Sequence, residues 1–178
     1  CYYVYRIAMG THVQTGIVAA ASVADYDTNR IRKHEFTRPD KEDDRVRQIE
    51  AVGAHTGPVL LAYPAAPVVD ALLSRATEAT PDADATADDG VRHTLWVIHD
   101  AGVQAQLTAA FDAMSALSIA DGHHRSAAAS RVAAARRRAG DGPEADSQRF
   151  LAVAFPHHQM RILPYNRVVR DLGTHTPE

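Results

Sequence analysis

The chain predicts an α/β or α+β fold, a mixed sheet with flanking helices, on three observations. Short apolar or β-branched runs alternate with stretches of helical periodicity. Glycine, proline and acidic loops punctuate the alternation. The third is size: 178 residues, 46% of them hydrophobic, can bury one core. Residues 1–178 therefore read as a single domain, or as the core fragment of a longer protein.

The first run, YYVYRIAM (residues 2–9), is aromatic and β-branched, and GIVAAAS (16–22) follows the loop GTHVQT, so two strands joined as a hairpin are expected. DYDTNR (25–30) is turn-like and IRKHEF (31–36) suits a short strand. Thr37 offers an N-cap before Pro39, with Asp40 three residues on. In the helix that follows, Val46, Ile49 and Val52 share one face, and Gly53 or Gly57 ends it. PVLLAY (58–63) is a continuous apolar strand, and PVVDALLSRATEA (67–79) an amphipathic helix through Val69, Leu72, Leu73 and Ala76. TPDADATADDG (80–90) reads as an acidic loop, VRHTLWVIHD (91–100) as a strand, and residues 101–114 as a helix with Val103, Leu107, Phe111 and Met114 in a stripe. LSIA (117–120) is a strand leading through DG into a helix from about His123 to Arg138. RFLAVAF (149–155) is the last strand, and Pro164 argues against a central strand in MRILPYNRVV.

A formal charge of −3 with interspersed signs gives no broad attraction for nucleic acid or an anionic membrane. The triple arginine at 136–138 falls in a last helical turn, where the helix dipole favours cations without any nucleic acid. A single cysteine, Cys1, excludes an intramolecular disulfide and fits a reducing compartment. No apolar run reaches the roughly 18 residues of a membrane span, and the opening CYYVYRIAMG lacks a signal-peptide layout. A cytoplasmic location without membrane partners is the expectation.

The chemistry concentrates at IADGHHR. Asp121 and Gly122 turn the chain into a helix whose open N–H groups and positive dipole end favour an anion. Gly122 permits close backbone approach, and His123, His124 and Arg125 can add donors, Arg125 as a bidentate fork. Asp121 can instead cap the helix itself. A metal site drawing on Asp121, His123, His124 and His34 is disfavoured, because adjacent histidines point about 100° apart on a helix. A second polar cluster, RKHEFTRPDKEDDR, places His34, Glu35, Thr37 and Arg38 just before a helix start. There Glu35 can act as general base toward a hydroxyl, and Arg38 or Lys41 can neutralise phosphate charge; an ordinary solvated face is the alternative. His99, His157 and His158 read as surface or sheet-edge residues.

Four ordered motifs, HEFTRPDKEDDR, DDGVRHTLWVI, IADGHHR and YNRVVRDL, resemble the bacterial domain-of-unknown-function family 1015 over nearly the whole chain. That resemblance implies a longer protein, with a Pro-Pro-Tyr-Asp-type N-terminal block and a C-terminal extension beyond these residues. Ser118 departs from the aromatic residue more usual before the IADGHHR motif. More remotely, the DGHHR turn is similar to the phosphate-binding turn of the ParB and sulfiredoxin superfamily, which includes CTP-hydrolysing partition proteins and kinases of free serine. This likeness implies a ParB/sulfiredoxin-like core. It also implies nucleotide phosphate contact at Gly122, His123, His124 and Arg125, with Asp121 shaping the turn or placing Mg²⁺. The resulting expectation is a nucleoside di- or triphosphate (ATP, ADP or CTP) with Mg²⁺, Glu35 and His124 as catalytic groups, and His34, Thr37 and Arg38 toward a small hydroxyl-bearing substrate. A nucleotide-sensing module without turnover is the rival, and a nucleic-acid-associated switch, lacking any evident helix-turn-helix, comes third.

Overall fold

The computed structural model describes residues 1–164, 166–171 and 173. Tyr165 and Leu172, the ends of the YNRVVRDL motif, lie outside the described residues. Strands β1 (Tyr2–Met9), β2 (His12–Ser22), β3 (Ile31–Arg32), β4 (Val59–Tyr63), β5 (Ala83–Thr86), β6 (Arg92–Ile98), β7 (Leu117–Asp121) and β8 (Arg149–Pro156) make one sheet. Its order is β3-β7-β4-β8-β2-β1-β6-β5. The helices are α1 (Val23–Asp27), α2 (Pro39–Val52), α3 (Pro67–Ala76), α4 (Ala101–Asp112) and α5 (His123–Arg138). The sheet is mixed, as expected, with β3 parallel to β7 and β4 parallel to β8 while the other neighbours run antiparallel. Among the described residues no helix is long and apolar enough to cross a membrane.

Side-chain alternation orients β4: Val59, Leu61 and Tyr63 are buried together, and Tyr63 meets Phe111 of α4 edge-on at 5.1 Å. Val69 and Leu73 of α3 and Leu107 of α4 fill the same core. Strand β8 is buried on both faces from Ala152 to Pro156, because α5 packs against β4 and β8. Gly16 makes the β2–β8 contact possible, since a Cβ there would stand 2.2 Å from the Ala154 carbonyl oxygen. Helix α5 buries Ser126, Ala127, Ala128, Ala129, Val132 and Ala133, a small-residue surface that lets neighbouring backbones approach closely.

Several local expectations change. The β1–β2 connection is only Gly10 and Thr11, so β2 begins at His12. DYDTNR contributes to α1, capped by the Ser22 hydroxyl accepting from the Asp25 N–H at 3.2 Å. β3 keeps only two residues of IRKHEF, and residues 33–38 form a loop. Thr37 is not the N-cap of α2. Arg38 holds that position, and the Thr37 hydroxyl donates to Glu42 instead. Gly53 ends α2 in the left-handed region at φ 68°, with its N–H on the Ile49 carbonyl at 2.8 Å. The Val46, Ile49 and Val52 stripe buries no residue fully, and Val52 is 59% exposed. Arg131 of α5 reaches across to Glu42 and Asp43 at 3.2 and 2.7 Å, so ion pairs share the work of docking α2. The acidic loop contains an edge strand, β5, because Asp84 receives an Arg92 fork and the Trp96 indole N–H donates to Ala79 at 2.9 Å.

Candidate functional site

The turn from β7 into α5 sets the site. Gly122 is the N-cap at φ 97°, a conformation that side chains with a Cβ rarely adopt. Any Cβ there would also meet Arg125 Nε and Nη2 at 3.1 Å and the Val59 Cα at 3.2 Å. Gly122 offers no side chain to cap the helix, and Asp121 does not cap it either: its Oδ2 accepts from Arg125 Nη2 at 2.7 Å. No side chain thus caps the first-turn N–H groups of this 16-residue helix, at its positive dipole end.

The β3–α2 loop lies over this turn and is held there by the two histidines. The His34 N–H points at His123 Nε2 at 3.5 Å, and the His34 ring stands edge-on to His123 at 4.4 Å. The Arg38 N–H donates to His124 Nε2 at 3.1 Å. His123 is 4% exposed, with Glu35 Oε2 3.4 Å from its Nδ1. Burial, then the neighbouring His34, pushes its pKa below the usual value, against the opposite pull of Glu35 and Asp121. The neutral ring therefore carries its proton on Nδ1, toward Glu35, and presents Nε2 as acceptor. The histidines expected to donate to an anion thus spend their Nε2 atoms on the loop backbone. That leaves the phosphate-type contacts to backbone N–H groups and cations.

Glu35, Arg38, Lys41, Arg45 and Arg125 line an open cleft of about 440 Å³ together with residues 121–124. Four cations face two carboxylates, Glu35 and Asp121, so the lining carries excess positive charge. Arg38 grips Asp40 through Nε and Nη2 at 3.1 and 2.8 Å. Of the expected substrate residues, Arg38 lines the cleft, His34 packs on His123 behind it, and Thr37 turns to Glu42. Arg45 was not expected. Lys41, Arg45 and Gln48 fall at i, i+4 and i+7 on α2, a polar stripe that carries the signal in the sequence itself. Among the described residues no three His, Cys, Asp or Glu side chains gather as a metal ligand set. A magnesium ion needs fewer protein ligands, since one or two carboxylates and the phosphates suffice, and Asp121, with a 72% exposed side chain at the cleft, suits that part.

The arginine cluster ending α5 behaves as a helix terminus: Arg137 pairs with Gln148 and lies 3.8 Å from Asp27. No curated protein and no solved structure matches the chain. The model of a family described as "Protein of unknown function (DUF1015)" matches residues 1–178, and the chain, with its DGHHR turn and HEFTRPDK loop, belongs to that family.

Proposed function

We propose that the cleft binds a nucleoside di- or triphosphate (ATP, ADP or CTP) with Mg²⁺ and transfers a phosphoryl group to a small hydroxyl compound. The observation that carries this reading is the uncapped first turn of α5 opening into a cleft with four cationic side chains and an exposed carboxylate, Glu35, beside His123 Nδ1. Helix N-termini bind phosphates through backbone N–H groups, and phosphoryl transfer is catalysed mainly by positioning and charge neutralisation. The His123, His124 and Arg125 N–H groups would donate to phosphate oxygens, while Arg38, Lys41 and Arg125 neutralise their charge. Asp121 would hold Mg²⁺, which adds charge neutralisation when bound. Glu35, steadied by His123 Nδ1–H, would take the proton of the acceptor hydroxyl as its oxygen bonds the terminal phosphorus and the bridging oxygen leaves with the nucleotide. His124 acts by holding Arg38 and the loop in place. The remote likeness of the turn to the ParB and sulfiredoxin superfamily supports the same reading.

Calorimetry with ATP, ADP and CTP, with and without Mg²⁺, tests the binding. Arg125→Ala should weaken nucleotide about tenfold or more while leaving free nucleoside little changed. Absence of heat with every nucleotide would remove the reading. Glu35→Gln should abolish phosphoryl transfer and spare binding. Binding without any turnover in the unaltered protein would favour a nucleotide sensor, which the use of both histidine Nε2 atoms for loop docking also suits.

A further inference from the structure

Next to the cleft, and sharing Arg45 and Arg125 with it, is a smaller pocket of about 220 Å³ bounded by Gln48, His55, Thr56 and Gly57. Its polar lining differs from the cleft in make-up, though not in sign. It has two guanidinium groups and no carboxylate. Arg125 straddles the two spaces: Nη2 is bound to Asp121, whereas Nη1 lies 3.9 Å from where a Gly57 Cβ would stand. The absence of that Cβ leaves the approach to Nη1 open. Arg125 Nε is buried without a hydrogen-bond partner among the described residues, so this cation is incompletely satisfied by protein alone. Arg45 Nη1 donates to Gln48 Oε1 at 2.8 Å, which steadies its guanidinium on the α2 side of the pocket. His55 Nε2 sits 3.1 Å from the Arg149 carbonyl, so that nitrogen carries the proton and the ring's other nitrogen is an acceptor.

We propose that this pocket is an oxyanion subsite, taking the carboxylate or phosphate group of a small second ligand between Arg45 and Arg125. Two guanidiniums facing a space of this size match the paired oxygens of such a group, and Thr56 adds a hydroxyl donor. The His55 acceptor would receive a hydroxyl or ammonium hydrogen on the same ligand, which makes small hydroxy or amino acids and their phosphate analogues the fitting class. Arg125 would then bridge the two anions, one in each space. Binding of the oxyanion stands by itself; its role as phosphoryl acceptor rests on the function proposed above.

The test is a titration of the isotope-labelled chain with malonate and with inorganic phosphate, each with and without saturating ADP, read from the backbone amides. Saturable shifts at Thr56 and Gly57 that persist with ADP bound are expected for both probes. Arg45→Gln and Thr56→Val should each weaken malonate about tenfold, and Thr56 is exposed, so its replacement leaves folding intact. Shifts confined to residues 123–125 and abolished by ADP, or silence at Thr56 and Gly57 with either probe, would overturn the subsite. Failure of ADP alone to bind, with the malonate response at Thr56 retained, would overturn the nucleotide reading and leave the subsite standing.

Discussion

The layer of α3 and α4 and the layer of α5 and α2 rest on one sheet but are held by different means. Val69, Leu73 and Leu107 give the first layer fully buried aliphatic anchors, packed with Leu61 and Tyr63 beneath them. In the second, α5 contributes mostly alanines and α2 buries no side chain fully, so its docking draws on Arg131 with Glu42 and Asp43. Aliphatic burial is worth about 1.5–3 kcal/mol per large side chain, whereas exposed ion pairs contribute about 0–1 kcal/mol. The difference teaches where the molecule can afford a site: the layer with fewer apolar anchors is the one that lines an open cleft with cations, carboxylates and the uncapped start of α5.

Leu107→Ala would test this contrast hardest. Leu107 is 0% exposed, and removing its buried methyl groups should cost about 2–5 kcal/mol in urea unfolding. Arg131→Ala, the matched change in the other layer, should cost about 1 kcal/mol or less. Equal losses would mean that the two layers carry the fold alike and that the comparison fails.

Gly122→Ala should have a smaller but doubled effect. A residue with a Cβ held at φ 97° and pressed on Val59 costs about 1–3 kcal/mol, and relief of that strain must move the first turn of α5 away from the cleft. Both urea stability and nucleotide affinity should fall together. A stability loss with unchanged affinity would show that the first turn of α5 does not carry the anion contacts.

Most of the frame could be read from the sequence because periodicity and burial agree along it. RHTLWVI, with buried Thr94, Trp96 and Ile98, and LSIA leading to DGHHR fold where the pattern places them. The acidic stretch hid β5, since an edge strand with all four residues exposed has no apolar alternation to show. The misplaced N-cap has a tertiary cause: Thr37 is drawn to Glu42 and Arg38 to His124, a partner 86 positions away. Residue types at the site were legible, but their division of labour was not. Nothing local says that His123 and His124 would turn their Nε2 atoms to the loop, or that Arg45 and Arg125 would face a common pocket.

The smallest expected effect isolates His123 within the weaker layer. Its ring is held neutral by burial and by His34, against Glu35 and Asp121, while His124 adds a further lowering influence. In the unfolded chain the imidazole titrates near 6.5, so between that value and the lower folded one the unfolded state binds more protons. Stability contributed by the neutral ring is complete above pH 6.5, falls as pH drops through this interval, and levels off below the folded pKa. His55, whose pKa is also pushed down by burial, against the opposite pull of the Arg149 carbonyl, adds to the same slope. The melting temperature should therefore fall between pH 7.5 and pH 5.5, and His123→Asn should make that fall shallower while His55 keeps part of it. Protonation would also turn the His123 Nε2 acceptor into a donor facing the His34 N–H, so the loop amides at 34 and 35 should exchange faster with solvent over the same range. An identical pH slope in the variant would mean that His123 is not the group that ties the loop to α5.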